Sequence, residues 1–561
     1  MRLPVTIWKF TLLELWRLLL LTGGVLVTVI SFAVAVRLSA EGRLNPLDTI
    51  KYMFLAMPPM LQYSLPFAAG FGATLSYHRM SQDNELTAAA SGGVSHRALL
   101  MPAVISGVVL AGLLWVLMGQ VIPRFLQSLD KMVTRDATRI VKSTIEAGQP
   151  LVVEGTMVYA DGVYEVKPEE GSGASDVLVL TKVFAVTTEP NGDIRSEATA
   201  TQAVLALYTT RTDEDRAGGA TQLSLELRHP QVLNRGKGLG TTESMTLYAT
   251  IPGVFNDDPK YLTDGELREL PRNPDNMNFI DMRRRDLAYH IAERDAIGVM
   301  EASLRDKGSV KLEDGSGRMY VIYASGIERA NDRWELVPRK ANGNGAQAIE
   351  VRRWDEGADR EGPASVVLRA STAGLQSDIG KDRAARRLEL KLDMENVTTR
   401  AGGSDRGSTY EKWGTGNLLP RDNPLPPLLH MNSRELLRVV EERANAKGPD
   451  AFIAEPANEL SKRLKRLERE VVSKRHERWA NAAAGLVMVL AGALTAMRLG
   501  GSMPLTVYLW SFFPALVALV TISAGQQVTH RMGMGGLALL WGGVAILGAY
   551  AGMAFWAVRR H

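Results

Sequence analysis

Few side chains in this sequence are arranged for covalent chemistry. None of the 561 residues is a cysteine, which removes disulfides, thiolate nucleophiles and thiolate metal sites. A phosphate-binding loop needs G-x-x-x-x-G-K-[ST], so that backbone amides cradle phosphate and a hydroxyl binds magnesium. The nearest string, Gly374 to Gly380-Lys381-Asp382, has one residue too many between its glycines and an aspartate in the last place. Of eight histidines, His78, His96, His530 and His561 flank apolar stretches, and no pair has the helical spacing with a carboxylate that a metal site uses. There is no G-x-S-x-G nucleophile elbow. These absences predict no enzyme, no metal, no cofactor and no ATP hydrolysis by this chain.

The distinctive polar segment is Tyr77-His78-Arg79-Met80-Ser81-Gln82-Asp83-Asn84-Glu85-Leu86-Thr87-Ala88-Ala89-Ala90-Ser91-Gly92-Gly93-Val94-Ser95. Ser81 is placed to cap a helix whose first turn holds Asp83 and Glu85, where acidic groups complement the helix dipole. Leu86, Ala89 and Ala90 supply a small apolar face, and Gly92-Gly93 supply a stop. Such a short amphipathic helix suits docking into a groove on a partner; the alternative is a merely solvated turn, which needs less than an ordered cap, an acidic start, an alanine face and a glycine stop.

The elements that must hold this segment are membrane spans. A bilayer core of roughly 30 Å needs about 20 apolar residues in helical form. Six uncharged stretches reach or approach that length: Leu18–Val36, Tyr52–Tyr77, Ala98–Pro123, Ala480–Met497, Leu499–Thr529 and Met532–Val558. The first follows Arg2, Lys9 and Arg17 and contains Ala33-Val34-Ala35, which resembles a signal peptide's cleavage site. Its apolar run exceeds a signal's usual length of about 7–15 residues, so it is read as a retained span. Basic residues in short loops set orientation. With the N-terminus inside, the inner segments hold Arg2, Lys9, Arg79, Arg97, Arg498, Arg559 and Arg560, and the short outer loops Arg37, Arg43, Lys51 and Arg531. Both termini are then cytoplasmic and residues 124–479 lie across the membrane. Pro58, Pro59, Pro66 and Pro514 read as packing kinks whose freed carbonyls need partners, and Gly548 to Gly552 forms a GxxxG that permits close helix contact.

Residues 143–420 alternate with period two, clearly so in Thr156–Val166, Leu223–Leu227, Arg318–Tyr323 and Leu388–Leu392. This predicts antiparallel strands with one face buried. The pattern also recurs in order. Gly155–Tyr159, Glu197–Thr201, Leu223–Leu227 and a helical Leu262–Leu267 are matched by Gly317–Val321, Leu368–Thr372, Leu388–Leu392 and Met431–Leu436. The expected fold is therefore an α-helical membrane protein of six spans, three and three, around a large all-β, jellyroll-like insertion of two tandem units. Its expected parts are a membrane domain at 1–123 with the docking helix at 78–96, a first β-unit at 124–300, a second at 301–433, a helical connector at 434–478, and a second membrane domain at 479–561. The formal charge of +4 gives no reason to expect nucleic acid.

The segment between the second and third stretches resembles that of the YjgP/YjgQ permeases, LptF and LptG, of the lipopolysaccharide export ABC transporter. Arg79, Ser81, Glu85, Leu86, Ala89, Gly92/Gly93, Val94 and Ser95 match the family's pattern with one extra glycine. Val121-Ile122-Pro123-Arg124 resembles its proline after the third span, and Glu468–Trp479 its charged helix before the fourth. The resemblance covers roughly residues 5–230 and 455–555. It implies a permease paired with a paralogous or identical subunit in the bacterial inner membrane. It also implies a cytoplasmic ABC ATPase dimer that receives the loop helix, with Glu85 as the coupling carboxylate. Lipopolysaccharide or a related lipid would enter between the first span of one subunit and the fifth of the other. It would then pass to the β-jellyroll and a periplasmic bridge protein. Arg37, at the outer end of the first span, is placed to contact lipid phosphate; simple headgroup snorkelling explains it equally. The second β-unit departs from the family's usual size. The rival reading is a non-transporting envelope receptor or lipid-binding scaffold. A receptor needs a cytoplasmic output domain, and every inner segment here is short.

Overall fold

The computed structural model describes residues 5–40, 46–134, 137–146, 148–153, 156–168, 176–188, 194–209, 221–228, 230–234, 238–241, 244–251, 258–314, 317–330, 333–340, 347–357, 362–377, 388–401 and 407–560. Arg2, Arg43, Gly155 and the Gly380–Asp382 string lie outside them. The chain forms two compact units. One comprises Met1–Thr246, Thr250–Asn276 and Lys465–His561, the other Leu247–Ala249 and Met277–Leu464.

The first unit contains α1 (Val5–Ala40), α2 (Pro46–Gln82), α3 (Glu85–Ser91), α4 (His96–Val116), α5 (Ile122–Thr134), α6 (Ala137–Glu146) and α7 (Asp264–Glu269). It also holds most of α11 (Ala451–Arg498), with α12 (Pro504–Met532) and α13 (Met534–Arg560). Among the described residues five helical stretches are long and apolar enough to cross a membrane: Val5–Arg37, His96–Ser128, Ala451–Arg498, Pro504–His530 and Met534–Arg559. The helix α2 falls short on composition, since Pro58, Pro59 and Pro66 share its length with Gln62, Ser64 and Ser76. Leu20, Val29 and Phe32 of α1 and Phe513, Val517 and Val520 of α12 are exposed, as expected of helices that face lipid. The chain is a multi-pass membrane protein.

Close contacts fix the helix directions. Gly23 faces Ala68 while Gly72 abuts the backbone of Leu15 and Leu19, so α1 and α2 are antiparallel. Gly70 faces Met488 and Thr74 faces Gly492, so α2 and α11 are parallel. Gly107 meets Leu486, and Gly485 meets Leu110 and Leu114, which sets α4 antiparallel to α11. Phe71 stacks on Tyr508 and Phe67 tilts against Phe512, which sets α12 antiparallel to α2. Gly525 and Gly536 press on Leu540 and Thr529, pairing α12 with α13 in an antiparallel hairpin. The start of α1, the α2–α4 turn, the α11–α12 turn and the end of α13 therefore share one face. A Cβ on Gly492 would stand 2.5 Å from the Gly70 carbonyl oxygen, so only glycine permits this crossing. Gly548 and Gly552, by contrast, have nothing within 4 Å of a built Cβ. The GxxxG pair faces away from the chain's own described helices.

Two of the helix prolines, Pro102 and Pro514, have answered carbonyls. Pro102 of α4 removes the N–H that would bond Ala98, and Trp8 Nε1 donates to the Ala98 oxygen instead at 2.8 Å. Pro514 of α12 frees Trp510, whose oxygen accepts from the Tyr550 hydroxyl at 3.0 Å. Ahead of Pro123 the backbone widens into a π turn over Leu117–Val121.

The β-structure of this unit is β1 (Leu151–Val153), β2 (Thr156–Val166), β3 (Asp176–Thr188), β4 (Ile194–Thr209), β5 (Thr221–Arg228), β6 (Gln231–Asn234), β7 (Gly238–Thr241) and β8 (Ser244–Ile251). They form one antiparallel sheet in the order β1-β2-β3-β4-β5-β8, with β6 on β4 and β7 on β6. Simple alternation does not run the length of the strands. The buried positions pass from Val158 to Val163, from Leu180 to Val183 and from Ala200 to Ala203. Each strand changes parity near the paired Gly162, Thr181 and Gln202, next to Lys182 at φ 49°. Such a shared irregularity turns a sheet through a corner, letting its two halves cover one core. Val141 and Ile145 of α6 are buried with it. The expected helix at Leu262–Leu267 forms as α7, with a reciprocal capping box between Thr263 and Glu266.

The second unit contains α8 (Asn278–Lys307), β9 (Val310–Asp314), β10 (Met319–Tyr323), β11 (Gly326–Ala330), β12 (Arg333–Val337), β13 (Arg339–Lys340), β14 (Gln347–Trp354), β15 (Val366–Ala370), β16 (Thr372–Ser377), β17 (Leu390–Ala401), β18 (Gly407–Leu419), α9 (Leu425–Leu429) and α10 (Ser433–Lys447). Its strand pairing closes on itself, running β9-β10-β14-β15-β17-β18 and back to β9, with β16-β12-β11 continuing from the other half of β17. Closure removes edges. The unanticipated α8 runs unbroken through position 300 and buries Ile297, Met300 and Leu304 in this core. Its buried Glu293 accepts from Trp334 Nε1 at 2.7 Å and from the Ser377 hydroxyl, tying helix to sheet. Met431–Leu436 opens α10 through a second capping box, Asn432 with Glu435. The connector breaks at Gly448 (φ 87°), after which α11 takes in Pro456 and continues into the apolar stretch. Four of its basic residues are matched: Lys462 by Glu459, Arg466 by Glu470, Lys474 by Glu477 and Arg478 by Asp264.

Candidate functional site

The docking segment is built differently from its sequence reading. The helix α2 continues through Ser81 to Gln82, because nothing between Tyr77 and Gln82 opposes a helix. The break comes at Asn84, held left-handed at φ 60°, a conformation that asparagine tolerates. Ser81 therefore does not cap the next helix; it packs against Gly500. The start of α3 is Glu85 itself, with no side-chain cap. Its stop is as expected. Gly93 adopts φ 83°, its N–H bonds Ala90, and the Val94 N–H reaches back to Ala89, the double bond of a Schellman ending. Ser95 then caps α4, its hydroxyl accepting from Ala98 N–H at 3.3 Å.

Seven residues are too few to hold a helix alone. What fixes α3 is Leu86, 8% exposed, which packs with Met80 and Leu99 and is flanked by Ile7, Ala89, Val94 and Met497. The apolar side expected to meet a partner thus faces the chain's own bundle. Glu85, Thr87, Ala88 and Ser91 are what remain exposed. Glu85 makes no ion pair with any described residue. Arg79 is not free in that way: its guanidinium lies 3.0 Å from Glu14 of α1 and 3.7 Å from Asp83.

Around this turn the ends of three helices are pinned. Trp8 bonds the Ala98 carbonyl, the Tyr77 hydroxyl donates to the Leu99 carbonyl at 2.9 Å, and Thr11 lies 3.5 Å from the Met80 sulfur. Arg79, Ser81, Glu85, Leu86, Ala89, Gly92 and Gly93 therefore lie together at this turn, on one face. Arg37 is not part of it. It sits exposed in the last turn of α1, 23 residues beyond Glu14 and so about 35 Å away along the helix. That spacing exceeds a bilayer core and puts Arg37 at the opposite surface.

Between the two surfaces lies a cavity of about 560 Å³. Leu21, Val25 and Leu26 of α1, Pro66, Phe67 and Phe71 of α2, and Leu505, Tyr508, Leu509 and Phe512 of α12 line it, with Met488 of α11. The polar groups on its wall are mostly engaged: the Ser511 and Thr74 hydroxyls pair at 2.8 Å, and Thr22 donates to Leu18. A chamber of this size with apolar walls suits an aliphatic ligand. The first and fifth sequence stretches named for the lipid route meet here within one chain, joined by the proline-bearing second.

The family model described as lipopolysaccharide export system permease LptF/LptG matches residues 13–305, more than half of the chain. The chain belongs to this family. No curated protein matches it. The matched part of this LptF/LptG protein contains the docking turn, α1 and α2 of the cavity wall, and the first sheet. The match ends within α8, before β9 opens the second sheet. As a family, LptF/LptG proteins are permeases of lipopolysaccharide export, and the transport role extends to this chain at that level. Sequence reasoning did not single out Glu14, Trp8 or the cavity wall. Glu14 had a signal, being the only acid in an otherwise apolar helix. The cavity residues had none, since lipid-facing and cavity-facing leucines read alike.

Proposed function

We propose that this LptF/LptG protein is the permease subunit of an ATP-driven exporter that takes lipopolysaccharide from the inner membrane and hands it outward. It works beside a second permease, paralogous or identical. The observation that carries this reading is an exposed carboxylate, Glu85, on a short helix held rigid by Leu86 and the Gly92-Gly93 ending. A rigid acidic knob transmits force from a partner; a solvated turn would not need the anchor. On this reading the partner is a cytoplasmic ABC ATPase dimer, which hydrolyses the ATP while this chain hydrolyses none.

The remaining parts take their places accordingly. The helix α2 crosses with the five more apolar helices to make six spans, with both termini cytoplasmic. Residues 1–123 and 479–561 form the membrane domain, 124–276 and 277–433 two jellyroll-like periplasmic units, the boundary moved from 300 because α8 belongs to the second, and 434–478 the connector. Acyl chains enter the cavity between α1, α2 and α12. Arg37, at the outer end, meets a lipid phosphate. The β-units pass the lipid to a periplasmic bridge protein.

The test is a tagged purification in mild detergent, followed by identification of the co-purifying ATPase and measurement of lipid release. Glu85→Ala should express at the normal level yet lose stimulated ATP turnover or lipid release. Unchanged coupling in that variant would remove Glu85 from the role.

A further inference from the structure

The only acid of α1, Glu14, sits 13% exposed in an apolar helix, and its carboxylate is 3.0 Å from Arg79 at the base of the docking turn. Seven residues further along α1 is Leu21, and eleven further is Val25. A helix repeats about every 3.6 residues, so all three lie on one face. Leu21 and Val25 line the cavity. Between the acid and the cavity α1 packs closely on α2. There a Cβ on Gly72 would stand 3.1 Å from the Leu19 nitrogen and 3.3 Å from the Leu15 oxygen. On the docking-turn side of that crossing Ile7, Trp8 and Thr11 hold α1 to the turn and to α4. One end of the helix is thus fixed to the turn, the middle bears on α2, and the other end forms the cavity wall.

We infer that α1 is the lever between the docking turn and the lipid cavity, and that Glu14 is a positioning residue that sets its tilt through Arg79. This rests on the permease reading above and adds to it how the stroke reaches the lipid. Arg79 then acts inside the chain: its charge is spent on Glu14 and Asp83 rather than on the ATPase. With its Arg79 end two-thirds exposed, the pair contributes little to stability, so its value lies in geometry. A displaced α3 carries Arg79 with it, Arg79 pulls Glu14, and α1 pivots at Gly72 to move Leu21 and Val25.

The test uses the full chain purified with its ATPase in lipid nanodiscs loaded with lipopolysaccharide. Three quantities are measured: ATPase bound per chain, basal ATP turnover, and lipopolysaccharide released per ATP. Glu14→Gln should leave the first two within about twofold and lower the third by about fivefold or more, the scale of a modest coupling free energy. Glu14→Arg and Arg79→Glu should each lower the third, and the two together should restore at least about half of it, as a double-mutant cycle detects. Asp83→Asn, which leaves the Glu14–Arg79 pair in place, should release lipid normally. A wild-type yield per ATP in Glu14→Gln would overturn the lever, as would a swap no better than its single variants. Loss of bound ATPase in Glu14→Gln would overturn it too, since the residue would then belong to docking. If the unaltered chain binds no ATPase at all, the permease reading falls, and the lever with it.

Discussion

Tyr550 should prove to be the replacement for a missing backbone donor. Its hydroxyl lies 3.0 Å from the Trp510 oxygen and 2.9 Å from Thr495 Oγ1. The Trp510 carbonyl needs this donor because residue 514, which would otherwise bond it, is proline. Thr495 also lies 2.6 Å from the Ala491 oxygen, so it has a second place for its proton. Tyr550→Phe therefore leaves one orphan, the Trp510 oxygen, on an exposed face of a membrane-spanning helix, where lipid tails supply no donor. An unmatched polar group of this kind costs about 1–3 kcal/mol. Changing Pro514 to Ala supplies an N–H for the same oxygen, and in that background Tyr550→Phe should cost about 0.5 kcal/mol, the low end for a hydrogen bond whose acceptor keeps another donor. The difference, about 1 kcal/mol or more, is the coupling between two residues 36 positions apart. It can be read from reversible unfolding of the four proteins in mixed micelles titrated with dodecyl sulfate. Equal costs of Tyr550→Phe in both backgrounds would refute this explanation of the kink.

Other substitutions test the packing and the cavity. Gly492→Ala should lower thermal stability by an amount typical of overpacking, about 1–3 kcal/mol, because its methyl would meet the Gly70 oxygen at 2.5 Å. Gly548→Ala, with open space around it, should leave the melting temperature unchanged, and the reverse order would contradict the helix arrangement. Glu293→Leu strands the Trp334 N–H and the Ser377 hydroxyl and should destabilise the second unit by about 2–4 kcal/mol, followed as loss of protease resistance. A photoreactive residue at Leu509, on the cavity wall, should capture lipopolysaccharide, whereas one at the exposed Val299 of α8 should not. Equal capture at both positions would mean that the cavity is not the lipid route.

Hydrophobic runs and turn chemistry made much of the architecture legible. A run of about 20 apolar residues has few alternatives in water, and the helical segments at Leu262–Leu267 and Met431–Leu436 show in the local pattern, although their Thr263/Glu266 and Asn432/Glu435 capping boxes emerge only with the structure. The Gly92-Gly93 ending was equally plain. Less legible was anything that depends on a neighbour. Ser81 looked like a cap because its spacing from the acidic residues suited one, but α2 simply continues past it until Asn84 turns left-handed. Leu86 looked available to a partner, and the chain's own Met80 and Leu99 claim it. The GxxxG at Gly548 showed what its spacing allows; which side another helix occupies is not written there. In β2, β3 and β4 the alternation continued locally while its inward face switched at Gly162, Thr181 and Gln202, a change that appears only when strands are paired.

The role given to α3 can be tested most directly by placing a photo-crosslinking amino acid at Ala88, exposed beside Glu85. The chain has no native cysteine, so a parallel Ser91→Cys variant can report the side of the membrane through its single thiol and an impermeant maleimide. The expected result is one adduct at Ala88 to an ATP-hydrolysing protein, and a thiol at position 91 that is labelled only after the inner membrane is opened. Labelling of that thiol in intact spheroplasts, or illumination that yields no ATPase adduct, would contradict it.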